Sequence, residues 1–196
     1  MMVYEKRGIG SKYIENITNF VKNDTKEHVS RKEVNNAISW LVYSGILGVC
    51  DVYNNGDIKD VIINRRFYFI DCGIDKYLSL YTTESSESVK GIIAENFVYT
   101  ELYRVYKKTD KVKGEVSCCS IYNNYELDFM IVDRNDKIYG IEVKSNRSNE
   151  HKSLDLYMNK GSIEEAYLVQ ITRGGVGSRI KNIPIYTVGC RFPYEE

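Results

Sequence analysis

The chain lacks an excess of either charge: its 27 basic and 27 acidic residues cancel. Up to Glu84 there are 11 of each sign, and the remaining 16 of each follow. Neither half is therefore a basic nucleic-acid domain, and any contact with DNA has to come from a local patch. Cys-x-x-Cys spacing is also missing. Five cysteines, an odd number with Cys118 and Cys119 adjacent, exclude a disulfide framework and a cysteine zinc site. They predict a reducing, cytoplasmic compartment. No apolar run approaches the roughly 20 residues that cross a bilayer, and no signal peptide is evident, so no membrane partner is expected. The phosphate-binding pattern Gly-x-x-x-x-Gly-Lys-Ser/Thr does not occur. Gly174-Gly175-Val176-Gly177-Ser178 lacks the lysine and reads as a flexible loop, so no ATP site is expected. His28 and His151 have no ligand-spaced partner and read as surface residues. There is no internal repeat and no low-complexity tract.

What is present is ordinary globular material: 196 residues, 43% hydrophobic and 28% charged. That leaves room for one medium domain or two small ones. Residues 1–84 read as helix, helix, then strands. Ile14, Ile17, Phe20 and Val21 fall at helical spacing. Ser30-Arg31-Lys32-Glu33 is a capping-box pattern opening a second helix, with Val34, Ala37, Ile38, Leu41 and Val42 on its apolar face and Gly45 as its stop. Two β-rich runs, Ile46 to Tyr53 and Val61 to Ile70, flank the turn signal Asn54-Asn55-Gly56-Asp57. A helical pair followed by a hairpin predicts a winged-helix-like part. Its DNA contacts would come from Arg31 and Lys32 on the second helix and from Arg65 and Arg66 near the wing. Asp71 and Asp75 read as caps, and the 17 tyrosines as half-buried core or interface residues.

A polar stretch from Thr82 to Ser88 places the boundary, and residues 85–196 read as a second, α/β domain. The pattern predicts a helix over 88–106, strands over 115–122, 125–132 and 137–145, a helix over 150–160, and strands over 165–171 and 183–188. That αβββαβ order fits a restriction-endonuclease-like, or PD-(D/E)xK, core. Two adjacent apolar runs carry acids: Glu126-Leu127-Asp128-Phe129-Met130-Ile131-Val132, and Ile138-Tyr139-Gly140-Ile141-Glu142-Val143-Lys144. An ionised carboxylate in an apolar sheet is costly unless it is paired. Acid-x-Lys alone says little, because it occurs four times here; Asp24-Thr25-Lys26, Asp57-Ile58-Lys59 and Glu150-His151-Lys152 lie in polar stretches or turns. Only Glu142-Val143-Lys144 ends an apolar strand, with alternation placing Glu142 and Lys144 on one face. If Arg134-Asn135-Asp136 is a three-residue hairpin loop, Asp133 pairs with Lys137 and Asp128 lies opposite Glu142. Phe129 then meets Ile141, and Ile131 meets Tyr139, on the other face.

The preceding helix adds a third acid. At about 100° per residue, Ile92, Val98, Tyr99, Leu102, Val105 and Tyr106 all fall within about 80° of Glu95. Lys90, Asn96, Thr100, Glu101 and Arg104 take the opposite, polar arc. Asp128, Glu142 and the carbonyl of Val143 are an oxygen set suited to Mg²⁺ or Mn²⁺. Such an ion polarises a phosphodiester and lowers the pKa of a bound water. Lys144 would orient or activate that water or neutralise developing charge. Glu95 would be a further ligand or orient the water. Lys152 opens the following helix, where it would meet a phosphate or stay solvated. The alternative for all of these is structural: a Glu–Lys pair on an edge strand and an acid capping a sheet end.

With these residues placed, the chain resembles the C-terminal region of predicted bacterial and archaeal ATPases, a region carried as a domain of unknown function. It joins a winged-helix-like part to a PD-(D/E)xK nuclease-like domain. The matching segments are Arg66-Phe67-Tyr68-Phe69-Ile70-Asp71-Cys72-Gly73-Ile74, Gly91-Ile92-Ile93-Ala94-Glu95-Asn96-Phe97-Val98, Glu126-Leu127-Asp128-Phe129 and Ile141-Glu142-Val143-Lys144-Ser145. Lys152-Ser153-Leu154 and Ile183-Pro184-Ile185-Tyr186 follow in order. The resemblance implies the restriction-endonuclease-like fold and a site made of Glu95, Asp128, Glu142 and Lys144. It also implies an ATPase module as partner, upstream in the same protein or separate. The family tends to carry an arginine on the strand before the Asp strand; here that strand reads Cys118-Cys119-Ser120-Ile121-Tyr122. The expected function is a Mg²⁺-dependent DNA phosphodiesterase. The competing expectation is a catalytically inactive nuclease-fold module for DNA or protein binding, including homo-oligomer formation.

Overall fold

Parallel and antiparallel strands of this chain share one sheet, and helices cover both of its faces. The computed structural model describes residues 11–53, 66–81, 85–108, 112–122, 125–146, 151–171 and 179–191. The expected turn at Asn54–Asp57, residue Arg65, the loop Gly174–Ser178 and the start of the expected boundary, residues 82–84, lie outside the described residues.

Two helices come first, α1 (Ser11–Thr25) and α2 (Arg31–Tyr43). The capping box forms as the sequence dictates: Ser30 Oγ accepts from Glu33 N, and Glu33 Oε2 accepts from Ser30 N at 2.8 Å. Gly45 ends α2 at φ 74°. Its N–H goes to Val42 O and that of Ile46 to Leu41 O, the bond pair of a Schellman stop. On the apolar face of α2, Val34 and Ile38 are buried, whereas Ala37 is exposed.

Strands β1 (Leu47–Val52) and β2 (Arg66–Phe69) pair antiparallel, Leu47 with Phe69 and Cys50 with Arg66. The hairpin does not stand apart as a wing. β1 also pairs in parallel with β3 (Val112–Tyr122) through Asp51–Ser117 and Val52–Cys118. Then come α3 (Cys72–Leu78), capped by Asp71 as expected, and α4 (Ser86–Lys108). Asp75, also expected as a cap, is a fully buried residue inside α3. After β3 follow β4 (Tyr125–Asp133), β5 (Ile138–Lys144), α5 (Lys152–Asn159), β6 (Glu165–Gln170) and β7 (Ile180–Pro184). The sheet order is β2-β1-β3-β4-β5-β6-β7, with the last three strands mutually parallel. The strand expected over 183–188 is displaced. Pro184 has no N–H to extend the ladder, and the chain turns through a 3₁₀ segment (Ile185–Thr187) into α6 (Val188–Arg191).

α4 packs Val98, Tyr99 and Leu102 on one sheet face, against Phe129, Ile131, Ile141, Tyr167 and Val169. α5 packs Leu154 and Tyr157 on the other, against Leu127, Met130, Ala166 and Leu168. The arc of α4 expected to be polar is partly wrong. Asn96 and Thr100 are buried because β2 and α3 pack there. Asn96 serves the free edge of β2: Oδ1 accepts from Phe69 N at 2.8 Å, and Nδ2 donates to Phe69 O at 3.0 Å. The side-chain amide thus takes the place of a neighbouring strand. Glu101, expected in solvent, is only partly exposed beside Arg104 and packs against Gly189 of α6.

Gly48 allows the closest approach of helix to sheet. A Cβ there would fall on the Tyr99 ring and within 2.8 Å of Ile70 Cδ1, while Tyr99 Oη donates to Val49 O at 3.0 Å. Gly48→Ala should lower stability by about 1–3 kcal/mol through overpacking, read as a lower urea midpoint with unchanged slope. Tyr99→Phe, which loses only the hydrogen bond, should cost about 1 kcal/mol.

At the opposite sheet end from the acids of β4 and β5, Glu165 gathers Lys137, Tyr167 Oη and Lys181. Burial pushes its carboxyl up, but the hydrogen bonds from Lys137, Tyr167 and Lys181 outweigh that and bring it from 4.5 to about 2. A depressed carboxyl stabilises the fold above its unfolded value and loses that contribution as pH falls through the folded value. Wild type should therefore lose stability between pH 4.5 and about pH 2. Glu165→Gln should show a shallower decline over that window in denaturant melts; parallel curves would exclude this linkage.

Candidate metal and phosphodiester site at the sheet end

The hairpin between β4 and β5 fixes the register that the site needs. Residues 134–136 form the loop, with Asp136 at φ 61°. Asp133 Oδ1 accepts from both Asn135 N and Lys137 N, and Asp133 N donates to Lys137 O. Phe129 pairs with Ile141 and Ile131 with Tyr139, the register expected from that loop. The ladder ends at Phe129–Ile141. One step further the strands part, and the side chain of Asp128 replaces the next rung: its Oδ2 accepts from Val143 N at 2.8 Å. On the other side of β4, Ser117 and Cys119 of β3 face Met130 and Leu127, so one β3 residue stands against two of β4, Asp128 and Phe129. That is a bulge at Asp128–Phe129, of the kind that bends a strand and re-aims its side chains.

Glu142, opposite, is 8% exposed. Its Oε1 binds Lys144 Nζ at 2.6 Å. Its Oε2 is buried with no hydrogen-bond partner among the described residues. Burial pushes the Glu142 carboxyl up, the Lys144 hydrogen bond and charge oppose this, the Asp128 charge adds to it, and His151 pulls weakly down. Asp128 and His151 are therefore close enough to be felt at Glu142. Lys144 is one-third exposed. His151, expected at the surface, is half-buried and bonded to Asp155 at 2.6 Å.

Glu95 enters from α4 and is 4% exposed, inward as the helical pattern requires. Tyr68 Oη donates to Glu95 Oε1 at 2.6 Å. The partner that sequence reasoning placed elsewhere is Arg66. Expected beside a wing and facing DNA, it is 11% exposed and lies among acids. Nη2 meets Glu126 Oε2 at 2.7 Å, and Nη1 lies 3.4 Å from Glu95 Oε1 and 3.7 Å from Asp128 Oδ1. Burial disfavours its charge, but Tyr68, Cys118 and Asp128 outweigh this and push its pKa above the ordinary range, so the guanidinium stays charged. Acids that would otherwise be stranded in an apolar sheet recruit the nearest cation. Glu126, which the sequence reading left without a role, belongs to the same group. Its position two residues before Asp128 on one strand was the available signal.

Arg31 pairs with Glu15 at 3.1 Å near the protein surface, Lys32 and Lys152 are exposed, and Arg65 is outside the described residues. Among the described residues no three His, Cys, Asp or Glu side chains converge as a metal cage. Two carboxylates are enough for magnesium, which keeps several waters and commonly takes one or two protein carboxylates. No helix among the described residues is long and apolar enough to cross a membrane.

No curated protein matches the chain, and no solved structure matches it either. A family described as Domain of unknown function (DUF4143) matches residues 90–188. That span includes Glu95, Glu126, Asp128, Glu142 and Lys144, while Arg66 and Tyr68 come from the hairpin before it. The chain belongs to the Domain of unknown function (DUF4143) family.

Proposed function

We propose that the parted end of β4 and β5 is a Mg²⁺ or Mn²⁺ site of PD-(D/E)xK type on a restriction-endonuclease-like core. The chain would then be a DNA-directed phosphodiesterase working as the C-terminal module beside an ATPase. The observation that carries this reading is the buried Oε2 of Glu142, without a hydrogen-bond partner among the described residues, across from Asp128 at the point where the ladder opens. A buried carboxylate oxygen with nothing to bind is costly, and a divalent cation offsets that cost. Asp128, Glu142 and the Val143 carbonyl would hold it. The carbonyl faces the Asp128 side, because a strand residue points its N–H and C=O to the same edge.

When bound, the ion supplies polarisation of a phosphodiester and acidification of water. Lys144, anchored on Glu142 Oε1 and partly exposed, holds a positive charge where negative charge develops on the phosphate. Glu95 accepts from Tyr68 and lies beside Arg66, and would contribute negative field at the cluster. Lys32 on α2 and Lys152 at the start of α5, both exposed, would supply DNA contact.

A second reading is favoured by the direct Lys144–Glu142 pair and by Arg66, which already compensates three acids. In it the fold is an inactive scaffold for DNA or protein binding or for self-association. Millimolar Mn²⁺ should raise the melting temperature of wild type and leave Glu142→Gln unmoved; a hundredfold excess over Kd adds about 2.7 kcal/mol. In plasmid nicking, Glu142→Ala and Lys144→Ala should fall by about 100-fold or more. Equal nicking by all three proteins would sink the catalytic assignment. A wild type that gains stability from Mn²⁺ without nicking supports the scaffold reading.

A further inference from the structure

The acids at this sheet end divide into two sets. Glu95, Glu126 and the Oδ1 side of Asp128 face Arg66, which also approaches Asp128 O at 3.5 Å. Glu142 Oε2 has no hydrogen-bond partner among the described residues, and Lys144 is bound at the other oxygen. A second divalent ion bridging Asp128 to Glu95 would need the space that the guanidinium fills. Arg66 is not free to leave. It is 11% exposed and carried on β2, whose edge is held by Asn96 through both polar atoms of its amide. Displacing it would bury an uncompensated charge.

We propose, on the reading that Asp128 and Glu142 form a metal site, that Arg66 is a built-in substitute for a second metal. The site accepts a single divalent cation, on Asp128 and Glu142, and Glu95 is not a ligand but a positioning residue held by Tyr68 and Arg66. Arg66 thereby sets the stoichiometry of the site from outside the strands that carry the ligands.

The test is Mn²⁺ binding to the full chain, counted from the electron paramagnetic resonance signal of free Mn²⁺ during titration. Wild type should bind a single ion with high occupancy, Glu142→Gln should lose it, and Glu95→Gln should keep it with an affinity change of less than about tenfold. Arg66→Gln, where it folds, should gain a second ion. Two ions on wild type, or loss of the ion in Glu95→Gln, would overturn the proposal and leave the metal site standing. No binding to wild type would remove the metal site itself. The wild-type and Glu95→Gln counts decide the matter even if Arg66→Gln does not fold.

Discussion

A buried guanidinium organises this molecule. Arg66 meets Glu126 and lies near Asp128 from β4 and Glu95 from α4, so one charge ties an outer hairpin, a central strand and the principal helix together. The constraint behind it is elementary. Several carboxylates crowd the end of an apolar sheet, and each costs free energy unless a cation or a hydrogen-bond donor serves it. Arg66, Tyr68, Lys144 and the backbone N–H of Val143 share that task. Glu142 Oε2 is buried without a hydrogen-bond partner among the described residues, and the functional reading grows from that oxygen.

The same economy explains why the hairpin belongs to the sheet. β1 borders β3 and leaves β2 at the edge, where unpaired backbone invites association. Asn96 and Thr100 of α4 cover that edge at Phe69, and Tyr99 crosses Gly48 to reach Val49 O. Helix α4 therefore has two burdens: it builds the core with one stripe and finishes an edge strand with another. The hairpin in turn places Arg66 and Tyr68 against acids more than twenty residues further along the chain. The family match over residues 90–188 includes the acids and Lys144 but stops short of Arg66 and Tyr68.

Much of the local structure was legible in the residues. The Ser30–Glu33 box, the Gly45 stop, the 134–136 loop and the pairing of Phe129 with Ile141 follow from rules that act over a few residues. Glu95 could be aimed inward because a helical stripe is periodic. Asn96 and Thr100 were misplaced by that same periodicity. A wheel divides apolar from polar, and it cannot see that a strand edge with bare N–H and C=O groups will come to lie against a polar arc and satisfy it. The last strand was misplaced more simply, because Pro184 ends a ladder that the apolar pattern continues.

By itself the sequence determined the alternation, the turns and the caps, and through the hairpin loop it set the register that pairs Phe129 with Ile141 and Ile131 with Tyr139. Those are short-range consequences of side-chain periodicity and backbone sterics. Only the tertiary structure decided which charge meets which. Ion pairing depends on distance through space, and nothing in the local pattern of Arg66 announces Glu95, Glu126 or Asp128. The arginine that the sequence offered to DNA is held inside by three acids, because buried carboxylates left without a cation cost more than burying the guanidinium with them.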